Sequence, residues 1–232
     1  MIKFEKTEVM GWQQAIRGMR NPMNSWEKSD SGICKGGDDG IGCENCAAYD
    51  CEHTYDHSFQ LGKNDMGLMR RLRNAGTDHR KFMRMITVYV DITAPFYWWK
   101  EFDTYKVGTV ANSCSTMHKI GEKEFTIDDF SHEHIFPNGS RAELALRDTI
   151  CALNVYRDYW LETKDKSYWW QMIQLLPSSY NQKRTVLLNY EVLANIYKSR
   201  KGHKLDEWSV GFMEWIESLP YSELITEIFE EG

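Results

Sequence analysis

Cys34, Cys43, Cys46 and Cys51 follow one another with the spacing C-x8-C-x2-C-x4-C, and His53 and His57 stand close behind. A Cys-x2-Cys pair can chelate a tetrahedral Zn²⁺, and two further thiolates would complete a structural site. The x8 and x4 spacings fit no standard finger, so free thiols stand as the alternative. His79 offers an imidazole in the run Gly76-Thr-Asp-His79, although Asp78, Arg80 and Lys81 beside it also suit a solvated loop. Arg200 presents a planar, permanently charged fork of donors that a lysine does not match. The same residue fits the last turn of a helix, where the dipole favours a cation. Asn112 and Ser115 lie either side of Cys114 in a loop, as turn formers or as donors to a ligand. Asn189 is an amide that bonds either a ligand or a neighbouring carbonyl. Lys106, His118, Lys119 and Arg184 are further basic residues of the chain, whose positions the sequence does not settle.

These residues belong to a chain of 232 residues, enough for one large domain or two small ones with a real core. Hydrophobic residues make up 42% and charged residues 27%, which indicates a water-soluble globular protein. Nine Trp and twelve Tyr supply either a dense core or stacking surfaces for a ring-shaped ligand. The formal charge of −6 argues against extended nucleic-acid binding, which needs clustered Lys and Arg, but leaves room for a small anion in one pocket. No apolar run approaches the ~20 residues of a membrane span, and the charged start lacks a secretory stretch. A cytoplasmic, reducing location is the expectation, with thiols or metal ligands favoured over disulfides.

The elements that must position the candidates are readable in part. Ile2 to Val9 predicts a short strand and Trp12 to Met19 a helix. Residues 21–61 read as a Cys/Gly-rich loop or insertion. Asp65 is expected to cap a helix carrying Met66, Met69 and Leu72, stopped at Gly76. From Met83 to Ile92 apolar and polar residues alternate, which predicts a strand with one buried face. Thr93, before Ala94 and Pro95, reads as the cap of a helix through Tyr97, Trp98 and Phe102. Ser140-Arg-Ala-Glu143 matches a capping box opening a helix towards Trp160. Helices are expected over Tyr168 to Leu176 and Thr185 to Arg200, and Trp208, Phe212, Trp215 and Leu219 recur at helical spacing before Pro220.

Three pieces taken in order resemble the flavin-dependent thymidylate synthases and cover a little under half the chain. The first is Leu68-Met-Arg-Arg-Leu72 through Ile92, similar to that family's helix, Gly turn and central strand. The second is Tyr105-Lys-Val-Gly-Thr-Val-Ala-Asn112-Ser-Cys-Ser115-Thr-Met117, against the family signature Arg-His-Arg-x-x-Ser-x-Asn-Glu-x-Ser-x-Arg. Asn112 and Ser115 match, whereas Tyr105, Lys106 and Val107 replace the Arg-His-Arg, Ser113 the Glu and Met117 the final Arg. In the third, Leu176-Pro177 matches a Leu-Pro, but Ile173 and Gln174 stand where an Arg is expected. Asn189-Tyr-Glu-Val-Leu193 resembles Asn-Ala-Arg-Ser-Leu. Arg200 follows Asn189 by eleven residues as the family's Arg does, and Asp206-Glu-Trp208-Ser-Val210 resembles the closing Ala-Gln-Trp-Glu-Ile.

The resemblance implies an α/β fold of the α+β type, the thymidylate synthase-complementing-protein-like core. It would be a single domain over 1–232, with an antiparallel or mixed sheet, helices packed on it and 21–61 as an insertion. It implies reductive one-carbon transfer from methylenetetrahydrofolate to dUMP using FAD, with NADPH as reductant, in a homotetramer. Arg200 would face the pyrimidine as the catalytic group, Ser115 and Asn112 would hold the nucleotide, and Asn189, His79 and Lys106 the flavin. The two missing arginines matter energetically. Each charge-assisted bond to a phosphate is worth ~1.5–3 kcal/mol, so two losses weaken binding by roughly two orders of magnitude or more. Lys106, His118, Lys119 or Arg184 could replace them. The alternatives are modification of another pyrimidine nucleotide, or a non-catalytic nucleotide-binding protein that kept the fold.

Overall fold

The computed structural model describes residues 2–34 and 59–227. In chain order the main elements begin with β1 (Lys3–Met10), α1 (Trp12–Arg20), β2 (Gly32–Ile33), β3 (Phe59–Gln60) and α2 (Lys63–Asn74). They continue with β4 (Thr87–Pro95), α3 (Phe96–Phe102), β5 (Val110–Ser113), α4 (Thr116–Lys119), α5 (Arg141–Thr163) and α6 (Lys166–Leu175). The last are β6 (Asn181–Asn189), α7 (Tyr190–Arg200), α8 (Met213–Glu217) and α9 (Glu223–Thr226). The class is α/β, as expected. Contacts divide the chain into two compact units: Met1–Thr7, Tyr89–Leu187 and His203–Phe212 form the first, and Glu8–Val88, Leu188–Gly202 and Met213–Gly232 the second. The chain passes between them within β1, β4 and β6.

A four-stranded sheet in the order β1-β4-β6-β5 dominates the first unit, with β5 antiparallel to β6. In β4 the buried residues Val88, Val90, Ile92 and Ala94 alternate with Tyr89, Asp91 and Thr93, the period of two that gives a strand one core face. On the other face Lys183 ties strands together, 2.9 Å from Glu5 and 3.3 Å from Asp91, while the Thr185 hydroxyl donates to Asp91 at 2.6 Å. The core face packs against aromatic rings. Trp98 stacks on Trp208 with centroids 4.5 Å apart and on Phe102 at 5.1 Å, and the indole N–H of Trp99 donates to the Gln182 carbonyl at 2.9 Å. Much of the tryptophan content is therefore core. A second apolar cluster gathers Ile120, Phe125, Phe130, Leu146, Leu153 and Met172 where α5 packs on α6.

In the second unit the chain is organised by one buried ion pair. Arg20 Nε lies 2.7 Å from Asp65 Oδ1, with the side chains 4% and 0% exposed. The other carboxylate oxygen accepts the hydroxyls of Ser29 (2.7 Å) and Ser31 (2.6 Å) and the N–H groups of Asp30 and Ser31 (3.2 Å each). Arg20 also donates to the carbonyls of Ser25 (3.1 Å) and Lys28 (3.0 Å). The segment 25–31 is thereby written onto the ends of α1 and α2. Asp65 is not the cap of its helix, contrary to expectation. Gly62 precedes α2, and it is the Asp30 carboxylate that accepts the N–H groups of Asn64 (2.8 Å) and Asp65 (3.1 Å). A Cβ on Gly62 would sit 2.2 Å from Asp30 Oδ1, so only glycine lets the cap reach in.

Other boundaries move for equally local reasons. Thr93 lies inside β4, which runs on through Pro95, and the helix starts at Phe96 without a side-chain cap. Met83 to Met85 belong to a 3-10 turn (Arg80–Met85) and the strand begins only at Thr87. Thr185 to Asn189 is strand, not helix: β6 lies between β4 and β5 in the sheet with Val186 and Leu188 buried, and helix α7 begins at Tyr190.

Burial alone would push the Asp65 carboxyl up, yet the bonds from Ser31, Ser29 and Arg20, with the Arg20 charge, hold it below the ordinary carboxylate value. Its folded pKa is thus below the unfolded one. The stabilisation is present above about pH 4 and is lost as pH falls through the folded value. Asp65→Asn and Arg20→Ala should each cost about 3–5 kcal/mol at pH 7, since each leaves the partner charge buried alone. Urea melts from pH 7 to pH 3 should show a shallower acid decline for Asp65→Asn than for the wild type; parallel curves would refute the assignment.

Candidate functional site

The Asn112–Ser115 segment is built on the sheet edge. Asn112 pairs with Thr185 in the β5–β6 ladder. Beyond it, the Cys114 N–H donates to the Lys183 carbonyl at 3.0 Å, and the Gln182 side-chain amide donates to the Cys114 carbonyl at 2.9 Å. Ser115 then caps α4, its hydroxyl oxygen accepting the His118 N–H at 3.1 Å. Asn112 and Ser115 therefore come together on one exposed, braced connection. Lys106 stands exposed in the preceding loop, and Tyr105, in the place of the signature's first Arg, turns its ring edge towards Trp208 with centroids 6.2 Å apart. Met117 is solvent-exposed.

The four cations named as replacements for the lost arginines are placed very differently. Arg184 donates to Asp103 at 2.7 Å and to Gln182 at 3.0 Å, with its guanidinium 4.2 Å over the Trp99 ring. Its fork is occupied within the fold. Lys119 pairs with Glu122. Lys106 is exposed, and His118 lines a cleft with Trp160, Trp169, Lys164 and Lys166.

In the second unit, Asn189 and Arg200 mark the two ends of α7, roughly 16 Å apart at 1.5 Å per residue. Asn189 is not on the helix but caps it: its side-chain oxygen accepts the Val192 N–H at 3.0 Å, and the residue is 8% exposed. Arg200 is the last helical residue, partly buried. Glu191 in the first turn of α7 bonds Arg84 of the Arg80–Met85 turn. His79 opens that turn, its N–H bonded to the Gly76 carbonyl at 3.1 Å. Gly76 takes φ +106°, which glycine alone adopts without strain. The His79 side chain lines a cleft of about 710 Å³ walled by Met19, Met23, Phe82 and Met85, with Lys81 and Asp78 also lining it. An apolar cavity with a few convergent polar groups is the usual form of a small-molecule site.

No protein-family model matches the sequence, and no curated protein does. Solved structures give a different result. The chain is similar to thymidylate synthase X from Helicobacter pylori with FAD and dUMP, at 15% identity and a TM-score of 0.63, over 100% of this chain and 98% of that one. It is similar also to the flavin-dependent thymidylate synthase of Helicobacter pylori complexed with FAD and dUMP, at 16% identity and a TM-score of 0.61, over 98% and 99%. The fold is that of the flavin-dependent thymidylate synthases.

Among the described residues no group of three or more His, Cys, Asp and Glu could hold a metal ion. Cys34 is partly buried, and Cys43, Cys46 and Cys51, with most of the expected insertion, lie outside the described residues. No described helix is long and apolar enough to cross a membrane. The cleft residues of the first unit were missed in the sequence. Their signal was a Trp four residues before one lysine and a Trp three residues after another, Trp160/Lys164 and Lys166/Trp169, which are same-face spacings on two consecutive helices.

The geometry makes Asn189 a cap first. Asn189→Ala should cost about 1 kcal/mol in urea denaturation, and Asn189→Asp, which keeps the acceptor, should restore most of it. Unchanged stability in the alanine variant would return the residue to ligand binding.

Proposed function

We propose that this chain is a flavin-dependent thymidylate synthase-like protein that binds FAD and a pyrimidine nucleotide, in the first instance dUMP. The observation that carries the reading is full-length likeness in fold, at 15–16% identity, to enzymes solved with both compounds. Transfer of a one-carbon unit from methylenetetrahydrofolate, with NADPH as reductant, a homotetrameric assembly and a cytoplasmic setting belong to the same reading.

The His79 cleft fits a flavin in kind. Its methionine and phenylalanine walls suit a large flat ring, and His79 and Lys81 supply a donor and a cation for polar and anionic groups. FAD, when bound, supplies the hydride. The work left to the chain is orientation and charge. Arg200 would lay its planar fork on a pyrimidine carbonyl and stabilise the negative charge that grows there during the reaction. Ser115 and Asn112 would hold the nucleotide from the loop braced by Lys183 and Gln182, a rigid support that keeps the reacting ring in register. Lys106 would answer the charge of the flavin's phosphates. His79 and Asn189 complete the flavin contacts carried over from the family, with the Asn189 side-chain oxygen engaged in the cap.

A second reading has its own support. Met117 stands exposed where the family has a phosphate-binding Arg, and Arg184 is held by Asp103 and Gln182. A protein that binds a nucleotide without flavin chemistry, or that modifies a different pyrimidine nucleotide, accounts for both facts.

Under the first reading, Arg200→Ala lowers turnover by ~10²–10³ with an unchanged melting temperature. Met117→Arg tightens dUMP binding about tenfold or more. A purified protein that is colourless, takes up no added FAD and binds nucleotides alike with and without Arg200 excludes the synthase reading and leaves the binding-protein one.

A further inference from the structure

We propose that the cleft between α4 and the α5–α6 turn is where the phosphate of a mononucleotide binds, with Lys164 and Lys166 doing the work of the arginines the signature has lost. The inference rests on the nucleotide-binding reading and adds the ligand's place and its cationic partners. The cleft measures about 540 Å³, within the range of small-ligand sites, and lies wholly in the first unit. Trp160 and Trp169 contribute indole surface to its wall, and both are partly buried. Trp169 is fixed by its own N–H, which donates to the Met117 carbonyl at 3.0 Å. That bond ties α6 to the residue where the family carries its last arginine.

Both lysines line the cleft. Lys164 Nζ sits 5.7 Å from the centre of the Trp160 ring and Lys166 Nζ 5.9 Å from that of Trp169. Neither lysine forms an ion pair among the described residues, although the chain carries a formal charge of −6. Asp165, between them, is engaged as the cap of α6, accepting the Ser167 N–H at 2.9 Å, and Glu122 is paired with Lys119. His118 lines the same cleft from α4. Two ammonium groups and one imidazole form a donor set for a phosphate.

The backbone of Lys164 gives an independent sign. It ends α5 in the left-handed conformation at φ +58°, its N–H bonded to the Trp160 carbonyl at 3.0 Å. Glycine is the usual residue at such a helix end, because a Cβ is disfavoured there. A lysine in that place keeps a strained conformation for a side chain that packs over the ligand wall, and strain of this kind gathers at functional sites.

This strain provides a clean test. Lys164→Gly relieves the backbone while removing the cation, so the melting temperature should hold or rise as binding falls. Isothermal titration of the full chain with dUMP, CMP and AMP, with deoxyuridine and inorganic phosphate as fragments, should show at least tenfold weaker mononucleotide binding in Lys164→Gly. The Lys164→Gly/Lys166→Gln double variant should lose about a hundredfold, Lys164→Arg should restore binding, and deoxyuridine should be indifferent to all of these. If dUMP binds the double variant as it binds wild type, the cleft assignment falls and the proposed function stands. If wild type ignores dUMP but binds CMP or AMP through the lysines, the cleft stands and the dUMP reading falls. If no mononucleotide binds wild type, both fall.

Discussion

The bond between Arg20 and Asp65 is the constraint on which the second unit depends. A carboxylate with no solvent contact is intolerable unless every lone pair is answered, and here the answers come from one guanidinium, two hydroxyls and two backbone amides. Because those groups are spread over residues 20–31, satisfying one buried charge fixes an irregular stretch that has little regular secondary structure of its own. The same stretch then delivers Asp30 to the start of α2. A buried ion pair of this type contributes little net stability relative to an apolar replacement; what it provides is a single arrangement.

The first unit uses a different principle. Its sheet is fixed by aromatic packing on one face and by short cross-strand polar bonds on the other. Trp98, Phe102 and Trp208 lie nearly parallel, with Trp99 and Phe212 completing the cluster. Large rigid rings bury much area for little lost freedom, and the fold is shared with solved structures at 15% identity. The loop that carries Asn112 and Ser115 hangs from that sheet through backbone bonds, so its position is independent of which side chains the loop displays. Substitutions such as Tyr105, Val107 and Met117 are tolerated by the fold for that reason.

Much of this was legible in the residues, and where it was not the cause is physical. The alternation in Ile86 to Ile92 and the capping box at Ser140 announced themselves, because periodicity and caps are local signals. Strand β6 was hidden because the Thr185–Asn189 run is followed directly by a helix, and an apolar run that short fits either period. Asp65 misled because an acidic residue near a helix start looks like a cap; only tertiary contact shows that a residue 35 positions earlier caps α2 instead. The resemblance named Ser115, Asn112, His79 and Arg200 as candidates and left the cleft lined by Lys164 and Lys166 unread, since neither lysine belongs to the motif that carried it.

Strand β5 closes one edge of the sheet with four residues, all of them exposed. A free edge is a template on which any passing extended chain can add itself, and long apolar edges invite aggregation. Here the outer strand is short, carries Asn112 and Ser113, and is followed at once by the turn into α4. These polar residues keep the edge from recruiting neighbours. Selection for colloidal behaviour alone would therefore favour small polar residues such as Asn112 and Ser113 at these positions, whatever the chain binds.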